Sequence, residues 1–247
     1  YCDFNTYLLQ DGGVDAYLRA LEREMALYAR QESEDLVFDT VFIGGGTPTV
    51  LSERELAQLL EGLHRHFPLP AGLEFTVEAN PGTLSPAKLE TLRRGGVNRL
   101  SIGAQAYQDH HLERLGRLHR FRHVVESVRE ARKAGFDNIN LDLMFALPHQ
   151  TLAEWEETLE AALSLEPEHL SCYSLIIEEG TPFGRLWAQG LLPVVDEELE
   201  AAMFQLAMER LQAAGYRHYE VSNFARPGRE CRHNLIYWTN GQWLGLG

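Results

Sequence analysis

The sequence predicts an α/β fold built as a closed or partly closed β/α barrel, and three observations carry that prediction. Apolar runs of strand length alternate along the chain with helical patterns of about ten to twenty residues, which implies right-handed crossovers and a parallel sheet. The number of such units in one uninterrupted chain of 247 residues favours closure into a barrel over an open sheet. The polar residues Glu78, Gln105 and Asp142 stand at or near strand ends, on the carboxyl rim where barrel folds place function. No linker or low-complexity stretch interrupts the pattern, so residues 1–247 read as one domain.

The elements follow in order. Val14, Tyr17, Leu18, Leu21, Met25 and Tyr28 fall on one helical face, with Glu and Arg filling the other. After an acidic turn, the β-branched and aromatic run Val41 to Ile43 reads as a buried strand that meets Gly44-Gly45-Gly46-Thr47-Pro48-Thr49. Three glycines let a ligand approach bare backbone. A dinucleotide fingerprint would need Gly where Thr49 stands, and a P-loop would need Gly-Lys-Ser/Thr, so neither applies. Ser52 and Glu55 form a capping box that opens the helix carrying Leu56, Leu59, Leu60 and Leu63.

The unit then repeats. Strand Leu73 to Val77 ends in Glu78-Ala79-Asn80-Pro81-Gly82, and Ser85 with Pro86 starts a helix that Gly95-Gly96 stops. Strand Asn98 to Ile102 runs into Gly103-Ala104-Gln105. A polar stretch, Asp109 to Arg122, leads to a helix with Val125, Val128 and Ala131 that ends at Gly135. Strand Asn138 to Phe145 precedes a helix capped by Thr151 and Glu154. Strand His169 to Ile177, helix Asp196 to Ala214 and strand His218 to Val221 complete the pattern.

Composition excludes several classes. A formal charge of −14, from 36 acidic against 22 basic residues, opposes nonspecific binding to nucleic acid or to an anionic membrane. No apolar run reaches the roughly 20 residues that span a bilayer, so no integral membrane protein is expected. Cys2, Cys172 and Cys231 are too scattered for a disulfide framework, which favours a reducing cytoplasm. The adjacent His110 and His111 show no metal-ligand arrangement in the sequence.

Seven motifs, in order, carry a resemblance: Tyr1-Cys2-Asp3-Phe4, Gly44 to Thr49, Glu78-Ala79-Asn80-Pro81, Ser101-Ile102-Gly103-Ala104-Gln105, Leu115-Gly116-Arg117-Leu118-His119, Asp142-Leu143 and His233-Asn234-Leu235-Ile236-Tyr237-Trp238. Each is weak alone. Together they resemble the radical SAM proteins of the oxygen-independent coproporphyrinogen oxidase group, and within it the HemW-type haem chaperones. The resemblance implies a partial (βα)6 TIM-like barrel, here expected to lack the first strand and the C-terminal region.

It also implies a [4Fe–4S] cluster held by Cys-x3-Cys-x2-Cys, in which Cys2 matches the third cysteine and the first two would lie upstream of Tyr1. Soft thiolates suit such iron sites. The cluster would reduce S-adenosylmethionine to a 5′-deoxyadenosyl radical. Gly45, Gly46 and Thr47 match the segment that takes the amino end of S-adenosylmethionine. Glu78 and Gln105 match residues that hydrogen-bond ribose or amine, and Arg117 matches a carboxylate clamp. For Asp142, on an apolar strand, a ligand or an Arg partner is expected. Tyr1 and Ile176 match positions beside the cofactor, with plain core packing as the alternative reading.

His233 is the candidate haem ligand, with Tyr237 and Trp238 as flat apolar surface; Cys231 is a second, unfavoured, candidate. The coproporphyrinogen-oxidising members carry a fourth cysteine two residues after the third, where this chain has Phe4. The reading is therefore a cytoplasmic haem chaperone, free or held at a membrane through a partner, that delivers haem to a haem-requiring membrane enzyme. The rivals are oxidative decarboxylation of coproporphyrinogen III and radical chemistry on another substrate.

Overall fold

Local signals set the elements one after another. The computed structural model describes residues 1–4, 13–31 and 37–247; the expected acidic turn and Asn5 and Thr6 of the opening stretch lie outside them. Helix α1 (Gly13–Gln31) buries Leu18, Leu21 and Met25. Strand β1 (Thr40–Ile43) leads through the glycine loop and a short 3-10 turn at Pro48–Val50 to α2 (Glu53–His66), begun by the Ser52–Glu55 capping box. β2 (Glu74–Ala79), α3 (Pro86–Arg94) and β3 (Arg99–Gln105) follow, with Ser85 accepting from the Lys88 N–H at the start of α3. α4 (Asp109–Arg114) and α5 (Phe121–Lys133) precede β4 (Ile139–Phe145) and α6 (Leu152–Leu163), which opens on the Thr151–Glu154 box. β5 (His169–Ser174), α7 (Pro182–Ala188), α8 (Glu197–Ala213, capped by Asp196), β6 (Arg217–His218), β7 (Asn223–Ala225) and α9 (Arg232–Trp238) complete the fold.

The seven strands form one sheet in the order β1-β2-β3-β4-β5-β7-β6, with β1 to β5 parallel. Period-two alternation gives its central strands two unlike faces. Phe75, Val77, Leu100, Ile102, Ile139, Leu141, Leu143, Leu170 and Cys172 join a single apolar core with residues of α1, α2, α3, α5, α6 and α8. Parallel register aligns that face, pairing Val77 with Leu100, Leu100 with Ile139 and Leu141 with Leu170. The residues between them, Thr76, Arg99, Ser101, Asn140, His169 and Ser171, are polar and just as deeply buried. A buried polar face needs internal partners. Curving the sheet provides them, because the polar face then lines its own interior while helices cover the outside.

The end of the sheet departs from the simple alternation. The last strand, expected at His218 to Val221, is instead two short strands, β6 and β7, joined by a tight turn closed by the Tyr219 N–H to Asn223 carbonyl bond. β7 slots antiparallel against β5, pairing His169 with Ala225, and leaves β6 on the edge. β5 itself stops at Ser174, short of Ile177. α9 then docks beside β1, at the opposite edge. The Glu74 side chain, first on β2, accepts from the N–H groups of Arg232 at 2.9 Å and His233 at 3.0 Å. No helix among the described residues is long and apolar enough to cross a membrane.

Candidate functional site

The carboxyl ends of β1, β2 and β3 converge on the glycine loop. A Cβ on Gly44 would lie 2.6 Å from Phe42 Cε1 and 2.8 Å from the Glu78 carboxyl, so a side chain there would push the Phe42 ring and the Glu78 carboxyl aside. Gly45 takes φ +104°, and its N–H donates to Glu78 Oε2 at 3.0 Å. Asn80 joins three segments. Its Nδ2 donates to Thr47 Oγ1 at 2.8 Å, and its Oδ1 accepts from Arg117 Nη2 at 3.0 Å. Arg117 Nη2 also reaches the Gly103 carbonyl at 3.0 Å, across a position where a Cβ would lie 2.6 Å from that nitrogen. Gln105 sits at an irregularity of the β3–β4 ladder with φ +66°, a left-handed conformation that costs a non-glycine residue on the order of 1–3 kcal/mol. Sequence reasoning gave Asn80 no role of its own; its place beside Glu78 in a motif was the available signal.

The interior of the barrel sets the charge of this cluster. Burial and the nearby Asp142 push the Glu78 carboxyl up to about 7, against the opposing pull of the Gly45 N–H and Arg99. Desolvation also raises Asp142. Within the chain Asp142 accepts from two neutral donors, Asn140 Nδ2 at 2.8 Å and Ser101 Oγ at 3.1 Å, rather than from an arginine. Asn140 Oδ1 stands 2.7 Å from His169 Nδ1, and His169 Nε2 stands 2.7 Å from the Tyr219 hydroxyl. Tyr1 sits near enough to Arg117 and Asp142 for both charges to act on its phenol, which burial raises. Its ring lies 6.4 Å from that of Phe183.

Gly45, Thr47, Glu78, Gln105 and Arg117 thus meet around the carboxyl ends of β1 to β3, with Gly46 in the same loop. Asp142, expected at or near a strand end, is instead the middle residue of β4, inside the sheet's polar interior, where its charge reaches Glu78 and Tyr1. Cys2 is exposed and free at the same terminus as Tyr1. Ile176 follows β5 and is 69% exposed, which removes core packing as its role. His233 belongs to a separate place, because its ring is tied to the first residue of β1. Its Nδ1 lies 2.8 Å from Thr40 Oγ1, its ring stacks on Phe42 at 5.0 Å, and the Tyr237 hydroxyl lies 3.2 Å from Nε2. Tyr237, Trp238 and Trp243 are each about half exposed, and the Tyr237 ring contacts those of His233 and Trp243. Cys231 is fully buried, with burial pushing its thiol up to about 11 and its Sγ 3.5 Å from Glu74 Oε1. That leaves His233 as the accessible donor.

A family model described as the radical SAM superfamily matches residues 1–162. The chain belongs to this superfamily. It is 49% identical over 249 residues to the heme chaperone HemW of Bacillus subtilis and 40% identical over 252 residues to that of Escherichia coli. Both alignments cover 100% of this chain, against 65% and 64% of those relatives. The chain therefore spans less than two thirds of their length. Among solved structures, coproporphyrinogen III oxidase (HemN) from Escherichia coli, a radical SAM enzyme, superposes with a TM-score of 0.82 at 27% identity, over 96% of this chain and 54% of that one. Radical SAM membership carries the cofactors: S-adenosylmethionine and a [4Fe–4S] cluster.

The strand-end residues fit the radical SAM cofactor. S-adenosylmethionine carries an ammonium, a sulfonium and a carboxylate. Glu78 and Asp142 supply a site where a cation relieves carboxylate repulsion. Arg117 Nε is buried with no hydrogen-bond partner, a free donor for a carboxylate. The loop beyond Gly45 is open, with nothing within 4 Å of a Cβ placed there.

Proposed function

We propose that this chain is the core of a cytoplasmic haem chaperone of the HemW type, which holds haem at the α9 face and passes it to a haem-requiring membrane enzyme. The observation that carries the reading is 49% identity over the whole chain to a heme chaperone. The local chemistry at His233 supports it. With Nδ1–H donating to Thr40 Oγ1, the imidazole keeps its Nε2 lone pair for iron, and the Tyr237 hydroxyl at 3.2 Å has only to swing away. Burial lowers the His233 pKa, which favours the neutral, ligating form. The exposed rings of Tyr237, Trp238 and Trp243 offer an apolar surface for a macrocycle.

In the same proposal Gly45, Gly46, Thr47, Glu78, Gln105, Arg117 and Asp142 bind S-adenosylmethionine, with Tyr1 and Ile176 at its borders. Cys2 ligates the cluster together with cysteines from the longer protein. The bound cluster supplies one-electron reduction of the sulfonium. The chain's own residues orient the zwitterion between carboxylates and guanidinium.

HemN likeness favours one rival, oxidative decarboxylation of coproporphyrinogen III. The full-length protein with its cluster reconstituted anaerobically separates the two readings. It is given S-adenosylmethionine, a reductant and coproporphyrinogen III, while haem is titrated by visible absorbance into wild type and His233→Ala. No porphyrinogen turnover, with haem binding weakened about tenfold or more in the variant, is the expected result. Turnover, or haem binding indifferent to His233, overturns the chaperone reading.

A further inference from the structure

His110 and His111, adjacent on α4, gain a third partner that only the fold provides. Glu154, in the first turn of α6, faces them across the helix pair. Its Oε1 lies 3.0 Å from His110 Nε2, and its Oε2 lies 3.5 Å from His111 Nε2. The two imidazole centroids are 4.1 Å apart, and the three residues offer donor atoms that all fall within 4.8 Å of one another. Among the described residues this is the one group of three or more His, Cys, Asp or Glu side chains so arranged.

The second observation is the state of His111. Its side chain is fully buried, and neither ring nitrogen makes a hydrogen bond. A buried imidazole must carry at least one N–H, and leaving its polar atoms without partners costs on the order of 1–3 kcal/mol. A histidine kept there only to fill space would be replaced at lower cost by an apolar residue. Glu154 Oε2 already accepts from the Thr151 N–H at 2.8 Å and its hydroxyl at 2.9 Å. Those bonds fix the carboxylate with Oε1 turned toward His110 and the bonded Oε2 toward His111, the kind of outer support that orients metal ligands.

We propose that His110, His111 and Glu154 form a binding site for a borderline divalent transition cation, of which zinc is the type. Two imidazoles and one carboxylate are a ligand set suited to zinc, cobalt or nickel rather than to magnesium or calcium, which take oxygen ligands. For a tetrahedral ion with bonds of about 2.0–2.1 Å, neighbouring ligand atoms lie about 3.3 Å apart. The 3.0 Å from His110 to Oε1 and the 3.5 Å from His111 to Oε2 are each close to that edge, one to either oxygen of the same carboxylate. His110 is half exposed, so water completes the coordination and the ion enters from solvent. The site ties α4 to α6 and shares no residue with the strand-end cluster or α9.

The test uses the full-length protein with its iron–sulfur cluster loaded, so that the cluster cysteines are occupied. Zinc is titrated against a chromogenic chelator, cobalt(II) is followed by its visible ligand-field bands, and thermal unfolding is recorded with zinc or magnesium. The expected result is one zinc per chain, a raised Tm with zinc and none with magnesium. His110→Ala, at an exposed position, and Glu154→Gln, which keeps a capping acceptor, each lower zinc affinity about tenfold or more. Absence of zinc binding overturns the site. So does binding that survives both variants, or that disappears when Cys2 is changed to Ser while His110 and Glu154 are intact.

Discussion

Glu78 has a charge that responds to what binds beside it. The carboxyl titrates at 4.5 when unperturbed and at about 7 in the folded chain, through burial first and the proximity of Asp142 second. Below pH 4.5 it is protonated in folded and unfolded chains alike. As pH rises toward 7, the unfolded chain ionises freely while the folded one resists, so its contribution to stability is lost across that window, at about 1.4 kcal/mol per pKa unit. Glu78→Gln is therefore expected to flatten the fall in Tm between pH 5 and pH 8, as calorimetry of the ligand-free protein would record. A cationic ligand favours the ionised form. Affinity for S-adenosylmethionine in the cluster-loaded protein is expected to rise from pH 6 to pH 8 with proton release, and isothermal titration in two buffers of unlike ionisation enthalpy measures both. Glu78 and Gln105 were legible because strand-end polar residues in a barrel point to function. The bridging role of Asn80 was not, since Thr47, Asn80 and Arg117 meet only after three segments converge.

Helix α9 shows how an element depends on a distant one. Its seven residues are too few to be stable alone. Cys231, before its first turn, makes no side-chain cap. Glu74 takes that role from 158 residues away. Glu74→Ala is expected to remove a cap worth about 0.5–2 kcal/mol. It should also free α9, so that His233 loses its alignment with Thr40 and Phe42. Hydrogen exchange over residues 232–238 should accelerate, and, on the proposed function, haem affinity should fall although His233 itself is unaltered. Unchanged exchange would show that α9 is held by other contacts. By contrast, the capping boxes Ser52–Glu55 and Thr151–Glu154 form where the sequence places them, because both partners lie within one turn.

At the scale of the whole molecule, the outer core joins helices to the sheet through a few large side chains. Trp155 on α6 is fully buried, donates its indole N–H to the Met203 carbonyl of α8 at 2.9 Å and lies 5.4 Å from the Phe145 ring of β4. Trp155→Ala opens a cavity among three elements and leaves that carbonyl without its partner, an expected loss of about 3–5 kcal/mol. A urea midpoint measured with an unchanged slope would record it. The inner face follows a different rule. Arg99, Asn140 and His169 are buried because the sheet encloses them, and hydrogen bonds such as that between His169 and Asn140 satisfy part of that interior.

The sequence by itself determined the repeating strand and helix units, the parallel run β1 to β5, the helix starts and the glycine loop. These depend on periodicity and on contacts within a few residues, which a linear reading contains. Only the tertiary structure decided that β7 inserts antiparallel beside β5, that Glu74 anchors α9, that Asp142 rests on Asn140 and Ser101, and that Glu154 faces His110 and His111. Each of these unites residues from separate elements. Their meeting depends on how a curved sheet with a polar interior satisfies its buried groups, a property that no local stretch of the chain possesses.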